Sequence, residues 1–363
     1  MMRKVVSIDS LGLPVLRRLT NRQPPIAGTL VVSAGFEDRA SAFSASLVGD
    51  SRSRAIVIEY WPKNPRNKFS EVVTHLLANG FPRKNIDKLR FPLAEPKNFS
   101  RDLFSYLNKS GAAQVTIDIS GMSRLAILLT LEACRRANVD TRLYYSEAKE
   151  YHPTELRYKE ARESNAILRP SLEISRGLTS VYHPPEFSTV AMHGNPRSLI
   201  LFMSFNENIS QTLVYQANPS RLFLVNGKPP DIRWREGATA WIHENLMREW
   251  SEDNPSSGEP KLPRRSTSTL DYRETVSTLC ELYWQLSSTS RISLSPTGSK
   301  MQAVASFLVA SMHRDIQIEY PIVRGYLDEY TVGWGKRWAL DLGRLNDLIR
   351  APRNIRPAAD RAA

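Results

Sequence analysis

Val115-Thr-Ile-Asp118-Ile-Ser120-Gly121-Met-Ser123-Arg124, running into Leu125-Ala-Ile-Leu-Leu-Thr-Leu131, decides how this chain is read. The β-branched run predicts a strand, the hydroxyl–glycine–hydroxyl–cation series a tight turn, and the apolar run a helix. A second copy lies in the other half: Ile292-Ser-Leu-Ser295-Pro-Thr297-Gly298-Ser299-Lys300, running into Met301-Gln-Ala-Val-Ala-Ser-Phe-Leu308. If the strands are parallel, each turn lies at the carboxyl edge of its sheet. Helix N–H groups and a cation there favour an anion.

Working outward, the first half alternates strand and helix patterns. Strands are expected over 28–35, 54–60 and 115–119, a weak one near 89–91, and one over 141–145. Helices are expected from Phe36, over 69–79, near 100–108 and after Gly121. Such alternation predicts an α/β fold with a mostly parallel, doubly wound sheet. The second half starts over: Ser198-Leu-Ile-Leu-Phe-Met-Ser204-Phe205-Asn206-Glu207 matches Thr29-Leu-Val-Val-Ser-Ala-Gly35-Phe36-Glu37-Asp38 at a constant offset. The expected organisation is two tandem Rossmann-like α/β domains, 1–150 and 197–343. A His-Pro- and Asn-Pro-marked connector spans 151–196, and a basic tail spans 344–363. The Pro-, Ser- and Gly-rich stretch 253–269 reads as a mobile loop.

The chain has 363 residues, 41% hydrophobic and 24% charged, which describes a globular protein with room for two cores. No apolar run is long enough to cross a bilayer and no secretory leader is visible, so no membrane partner and a cytoplasmic location are expected. Cys134 and Cys280 cannot build a disulfide framework, and the six histidines show no metal-ligand spacing, so no metal is expected. A net charge of +12 points to anionic partners, nucleic acid among them.

The candidate binding residues follow from the turns. Ser120, Gly121, Ser123 and Arg124 form one set, and Ser295, Thr297, Gly298, Ser299 and Lys300 the other: glycine for close approach, hydroxyls and a cation for phosphate oxygens. The second series also reads as a plain helix N-cap with Lys300 in solvent. Asp118 either bonds a ribose hydroxyl or base edge, or orients its own turn. Gly35 and Phe36 lie across from the first turn, and Phe36 either stacks on a base or packs in the core. Glu37 with Asp38 reads either as a general-base or metal-binding carboxylate pair or as first-turn helix capping. No nucleophile elbow is present, and the catalytic group and any cofactor are left open by the sequence.

The Ser295–Met301 turn resembles the fourth-strand signature of CRISPR-associated Rossmann-fold sensor domains. Asp118–Arg124 looks like a second, divergent version, with Met122 or Ser299 in place of the second glycine and Ser295 in place of the acid. The resemblance implies a nucleotide-type anionic ligand, such as a cyclic oligonucleotide, held between the two domains. It also implies a sensor or accessory role in prokaryotic antiviral defence, and a protein effector partner. A phosphodiester-cleaving enzyme of the ring-nuclease kind and a basic nucleic-acid-binding scaffold are the alternatives.

Overall fold

The computed structural model describes residues 12–20, 26, 28–164, 169–254, 264–327 and 330–350. The chain forms two units, one of residues 12–151 with 330–350 and one of residues 152–327.

Five adjacent strands of the first unit's seven-stranded sheet, from one edge inward, pair in parallel. In spatial order they are Asp140–Ser146, Gln114–Asp118, Thr29–Ser33, Arg54–Trp61 and Ile86–Pro92. Counted along the chain this is the order 5-4-1-2-3, the doubly wound arrangement with a crossover at the first strand. Thr29–Ser33 is buried at every position, because helical layers cover both faces of a parallel sheet. Leu30, Val32, Ala55 and Val57 pack against Phe43, Leu47, Val72 and Leu76 on one side. The helix Arg124–Ala137 starts on a Ser123 cap and stops at Asn138, whose φ of 52° ends it in the left-handed region.

The second unit repeats the order. Its parallel strands run Gln317–Ile318, Arg291–Ser295, Arg197–Phe202, Arg221–Lys228 and Arg264–Ser268, again 5-4-1-2-3. Leu199, Leu201, Leu222 and Leu224 meet Ile209, Leu213 and Leu246 in its core. The helix Lys300–Met312 is buried along its whole length, which its near-unbroken apolar sequence permits. Both halves are therefore α/β Rossmann-like units with mostly parallel sheets, and the shared strand order is the structural form of the internal repeat.

Several boundaries differ from the sequence expectation. The second unit ends before 330 instead of at 343, because Arg337–Arg344 pairs antiparallel with Asp140–Ser146 in the first unit's sheet. The helix Leu345–Arg350 follows that strand, so the start of the expected basic tail is folded; residues 351–363 lie outside the described residues. The stretch 151–196 is not a bare connector. It supplies the helix Glu155–Glu163 and the strand Ser175–Tyr182, which pairs with Tyr320–Tyr326 inside the second unit. Arg264–Ser268, expected as loop, is an edge strand, while 255–263 lie outside the described residues. After Phe36 the chain makes a single 3-10 turn, Asp38–Ala40, instead of an α-helix.

Candidate functional site

Adjacent parallel strands whose connections leave in opposite directions open a crevice at their carboxyl ends. In the first unit that point lies between Thr29–Ser33 and Gln114–Asp118, and in the second between Arg197–Phe202 and Arg291–Ser295. The two hydroxyl–glycine turns occupy these positions, one in each unit.

The first turn directs most of its polar groups inward. Asp118 accepts from the Ser120 amide at 2.9 Å, and the Ser120 hydroxyl accepts from the Ser146 amide at 2.8 Å. Asp118 and Ser120 are fully buried, so the structure gives Asp118 the turn-orienting role and removes Ser120 from the ligand-facing set. Gly35 and Gly121 face each other: a Cβ on Gly35 would lie 2.6 Å from the Gly121 carbonyl oxygen, and one on Gly121 would lie 2.5 Å from Ala40 Cβ. These glycines make room for the protein's own backbone rather than for a ligand. Ser123 caps the following helix by accepting from the Ala126 amide at 3.1 Å, while its own amide donates to the Tyr60 hydroxyl at 2.8 Å. Arg124, at the first helical position, is half-buried.

The second turn is closed more completely. Ser299 accepts from the Gln302 amide, and the Ser299 amide donates to Gln302 Oε1 at 2.7 Å, completing a capping box. Gln302 folds over the turn so closely that a Cβ on Gly298 would lie 2.2 Å from Oε1. The Thr297 hydroxyl donates to the Phe202 carbonyl, and Ser295 is fully buried. Lys300, expected in solvent under the capping reading, is buried too. The position open to an anion in the sequence reading is held here by a side chain of the same helix. Ser299→Ala is expected to cost about 1 kcal/mol in urea-induced unfolding of this unit, the usual value of an N-cap.

Sequence reasoning missed a buried ionic group near the carboxyl edge of the first unit's sheet. Arg39, 3% exposed, donates from Nε to Glu37 at 2.5 Å, and its Nη1 lies 3.4 Å from the Tyr145 hydroxyl and 3.5 Å from that of Tyr151. Thr331 donates to Glu37 at 3.2 Å. Burial works against the Arg39 charge, but Glu37 and the two tyrosines outweigh it and the pKa is raised, so the guanidinium stays cationic. Burial first, and then Tyr151, push the Tyr145 phenol well up, so it stays protonated. The acidic pair Glu37-Asp38 was the only sequence signal here. Its partners come from the fifth strand's end and from residue 331, a separation no local pattern reveals.

Above this buried group the same edge carries arginine–aromatic pairs. Arg66 lies over the Phe36 ring at 5.1 Å, with Tyr330 edge-on to Phe36 at 6.1 Å. Arg90 lies over Trp61 at 4.6 Å, and Arg337 lies 5.6 Å from the Trp334 ring. Trp61 and Trp334 are 42% and 49% exposed, enough to offer a stacking face. Lys68 bridges Asp38 and Glu71 at 3.4 Å each.

The second unit's counterpart is built for packing. Asn206 caps the helix Glu207–Ala217 and donates to Ser175, Glu207 accepts from the Leu246 amide at 2.9 Å, and Arg235 covers Phe205 at 4.1 Å. Ser210 and His243 pair at 2.9 Å, both essentially inaccessible to solvent. Among the described residues no helix is long and apolar enough to cross a membrane, and no group of three His, Cys, Asp or Glu is placed to hold a metal ion.

No family model and no curated protein matches this sequence. Among solved structures, a universal stress protein from Archaeoglobus fulgidus aligns at a TM-score of 0.21 and 9% identity, covering 81% of this chain and 95% of that one. An NADH-dependent reductase solved with NAD aligns at a TM-score of 0.19 and 8% identity, with the same coverage. Likenesses this weak carry no argument; the fold stands on its own strand order.

Proposed function

We propose that the carboxyl edge of the first unit's sheet binds a nucleotide-type anionic ligand, and that the chain acts as a ligand sensor or accessory component. The observation that carries this reading is a pair of arginine–aromatic contacts along the carboxyl edge of a doubly wound sheet: Arg66 over the half-buried Phe36 beside the switch point, and Arg90 over the exposed Trp61 two strands away. Guanidinium groups suit phosphate oxygens and aromatic faces suit bases. Arg124, at the adjacent helix start, adds a cation where helix amides already favour an anion. The place in prokaryotic antiviral defence, and the effector partner it needs, are supported by the resemblance of the two turns to sensor domains.

The test is a thermal-shift panel of mononucleotides and linear and cyclic oligonucleotides against the wild type and an Arg66→Ala/Arg124→Ala variant. A ligand present at a hundred times its Kd stabilises the native state by about 2.7 kcal/mol. Each arginine removed is expected to lower affinity roughly ten- to a hundredfold, because charge-assisted hydrogen bonds are worth about 1.5–3 kcal/mol. No stabilisation by any nucleotide would overturn the reading. The same pairs also favour a second reading, a single-strand nucleic-acid scaffold. It predicts RNA or DNA binding that falls steeply with salt and is only partly weakened by the double substitution, because Arg90 with Trp61 remains.

A further inference from the structure

At the opposite, amino edge of the second unit's sheet the strands bring like charges together. Arg197 and Arg291 begin neighbouring parallel strands and are direct partners in register, so both side chains leave the same face. Like charges placed this way repel unless they are compensated.

Among the described residues only one of them meets a carboxylate. Arg197 donates to the buried Glu319 carboxylate, to Ser293 at 3.0 Å, and to the Ala217 carbonyl that ends the helix Glu207–Ala217 at 2.7 Å. Arg291 meets no carboxylate among the described residues: it donates to the Gln317 carboxamide, and its Nη1 lies 3.4 Å from His193 Nε2. Its Nε is buried with no acceptor among the described residues. The set therefore holds two guanidinium charges against one carboxylate, with a donor unmet on the uncompensated side.

Arg197, Arg291, Gln317 and Glu319 line an open cavity of about 320 Å³, with His183 exposed and Val181 and Ala217 as apolar wall. That volume is in the range of small-ligand sites and exceeds what a bare inorganic ion needs. We propose that this pocket is an anion site, taking a small organic carboxylate or phosphate as the missing counter-charge of Arg291. A planar guanidinium grips either group through two parallel hydrogen bonds, and turning outward to do so satisfies the idle donor. The site is independent of the turns at the carboxyl edges.

Calorimetric titration of the full chain at constant ionic strength tests it, with butyrate and inorganic phosphate as separate probes. Saturable binding of at least one is expected, weakened tenfold or more by R291Q and unchanged by Arg66→Ala/Arg124→Ala. The probe that binds distinguishes a carboxylate site from a phosphate site. R291Q without ligand is expected to unfold at or above the wild-type temperature, because it removes the repulsion with Arg197. R291K, which keeps the charge but loses the fork, is expected to bind several-fold more weakly and carries the test should R291Q fail to fold. No binding of either probe, or equal binding by the arginine variants, overturns the proposal.

Discussion

Arg39→Ala is expected to destabilise the first unit by about 3–5 kcal/mol, the cost of removing one partner from a buried ion pair. Domains of this size hold about 5–15 kcal/mol in all, so the variant should lie close to unfolding at 37 °C. The size follows from what is left behind. Glu37 is 7% exposed and would lose its guanidinium partner while still accepting from Thr331, and the Tyr145 and Tyr151 hydroxyls would lose the guanidinium between them. A buried carboxylate that loses a guanidinium counter-charge is costly to keep ionised. The double variant Glu37→Gln/Arg39→Met is expected to recover much of the loss, because replacing both members of a buried pair removes the uncompensated charge. Urea titration by circular dichroism gives the magnitude, and hydrogen exchange of Thr29–Ser33 and Asp140–Ser146 assigns it to this unit. A loss below about 1 kcal/mol for Arg39→Ala, the range of exposed pairs, would show that solvent reaches the group.

What was legible in the sequence is what local chemistry dictates. The strand Val115-Thr-Ile-Asp and its partner Thr29-Leu-Val-Val-Ser stand out because a parallel strand covered on both faces needs an unbroken β-branched run. Ser123 and Ser299 are readable as caps from their position before apolar helices. Arg264-Arg-Ser-Thr-Ser268 is not readable as a strand. It forms an edge, is exposed at its start, and carries no apolar alternation. Arg337–Arg344 has a strand-like pattern, but its partner lies about two hundred residues away in the other half of the chain, so a reading by sequential order assigns it to the wrong unit. The turns show the same limit at atomic scale. Hydroxyls and a glycine at the right spacing describe an anion cradle and a capping box equally well, and at the second turn Gln302 folds back over Gly298 to form a capping box. The buried Glu37–Arg39 group needed Tyr145, Tyr151 and Thr331 together, which only the tertiary fold supplies.

Two glycine-to-alanine changes should move stability in opposite directions, which tests the reading that the first turn is packed rather than open. At Gly121 the added methyl would lie 2.5 Å from Ala40 Cβ, 3.0 Å from Ala40 Cα and 3.0 Å from the Ser33 carbonyl oxygen. Two of those three atoms are backbone, and they belong to the first strand's end and the turn after it, so no flexible side chain can give way. Overpacking of this kind costs about 1–3 kcal/mol or more, and Gly121→Ala is expected at the upper end. Separation of the strand ends at the switch point should then open the crevice, raising exchange at Ala34 and Ser120. Gly237 is the contrast. It lies exposed in the helix Trp234–Ile242, and a methyl there would meet nothing within 4 Å. Gly237→Ala is therefore expected to stabilise the second unit by about 0.5–1 kcal/mol through helix propensity alone. If Gly121→Ala proved as benign as Gly237→Ala, the two strand ends would have to part easily. A phosphate could then enter between Gly35 and Gly121 in the way the sequence first suggested. If it is costly, the glycines hold the edge shut, and a ligand is left to the arginine–aromatic surface around Phe36 and Trp61.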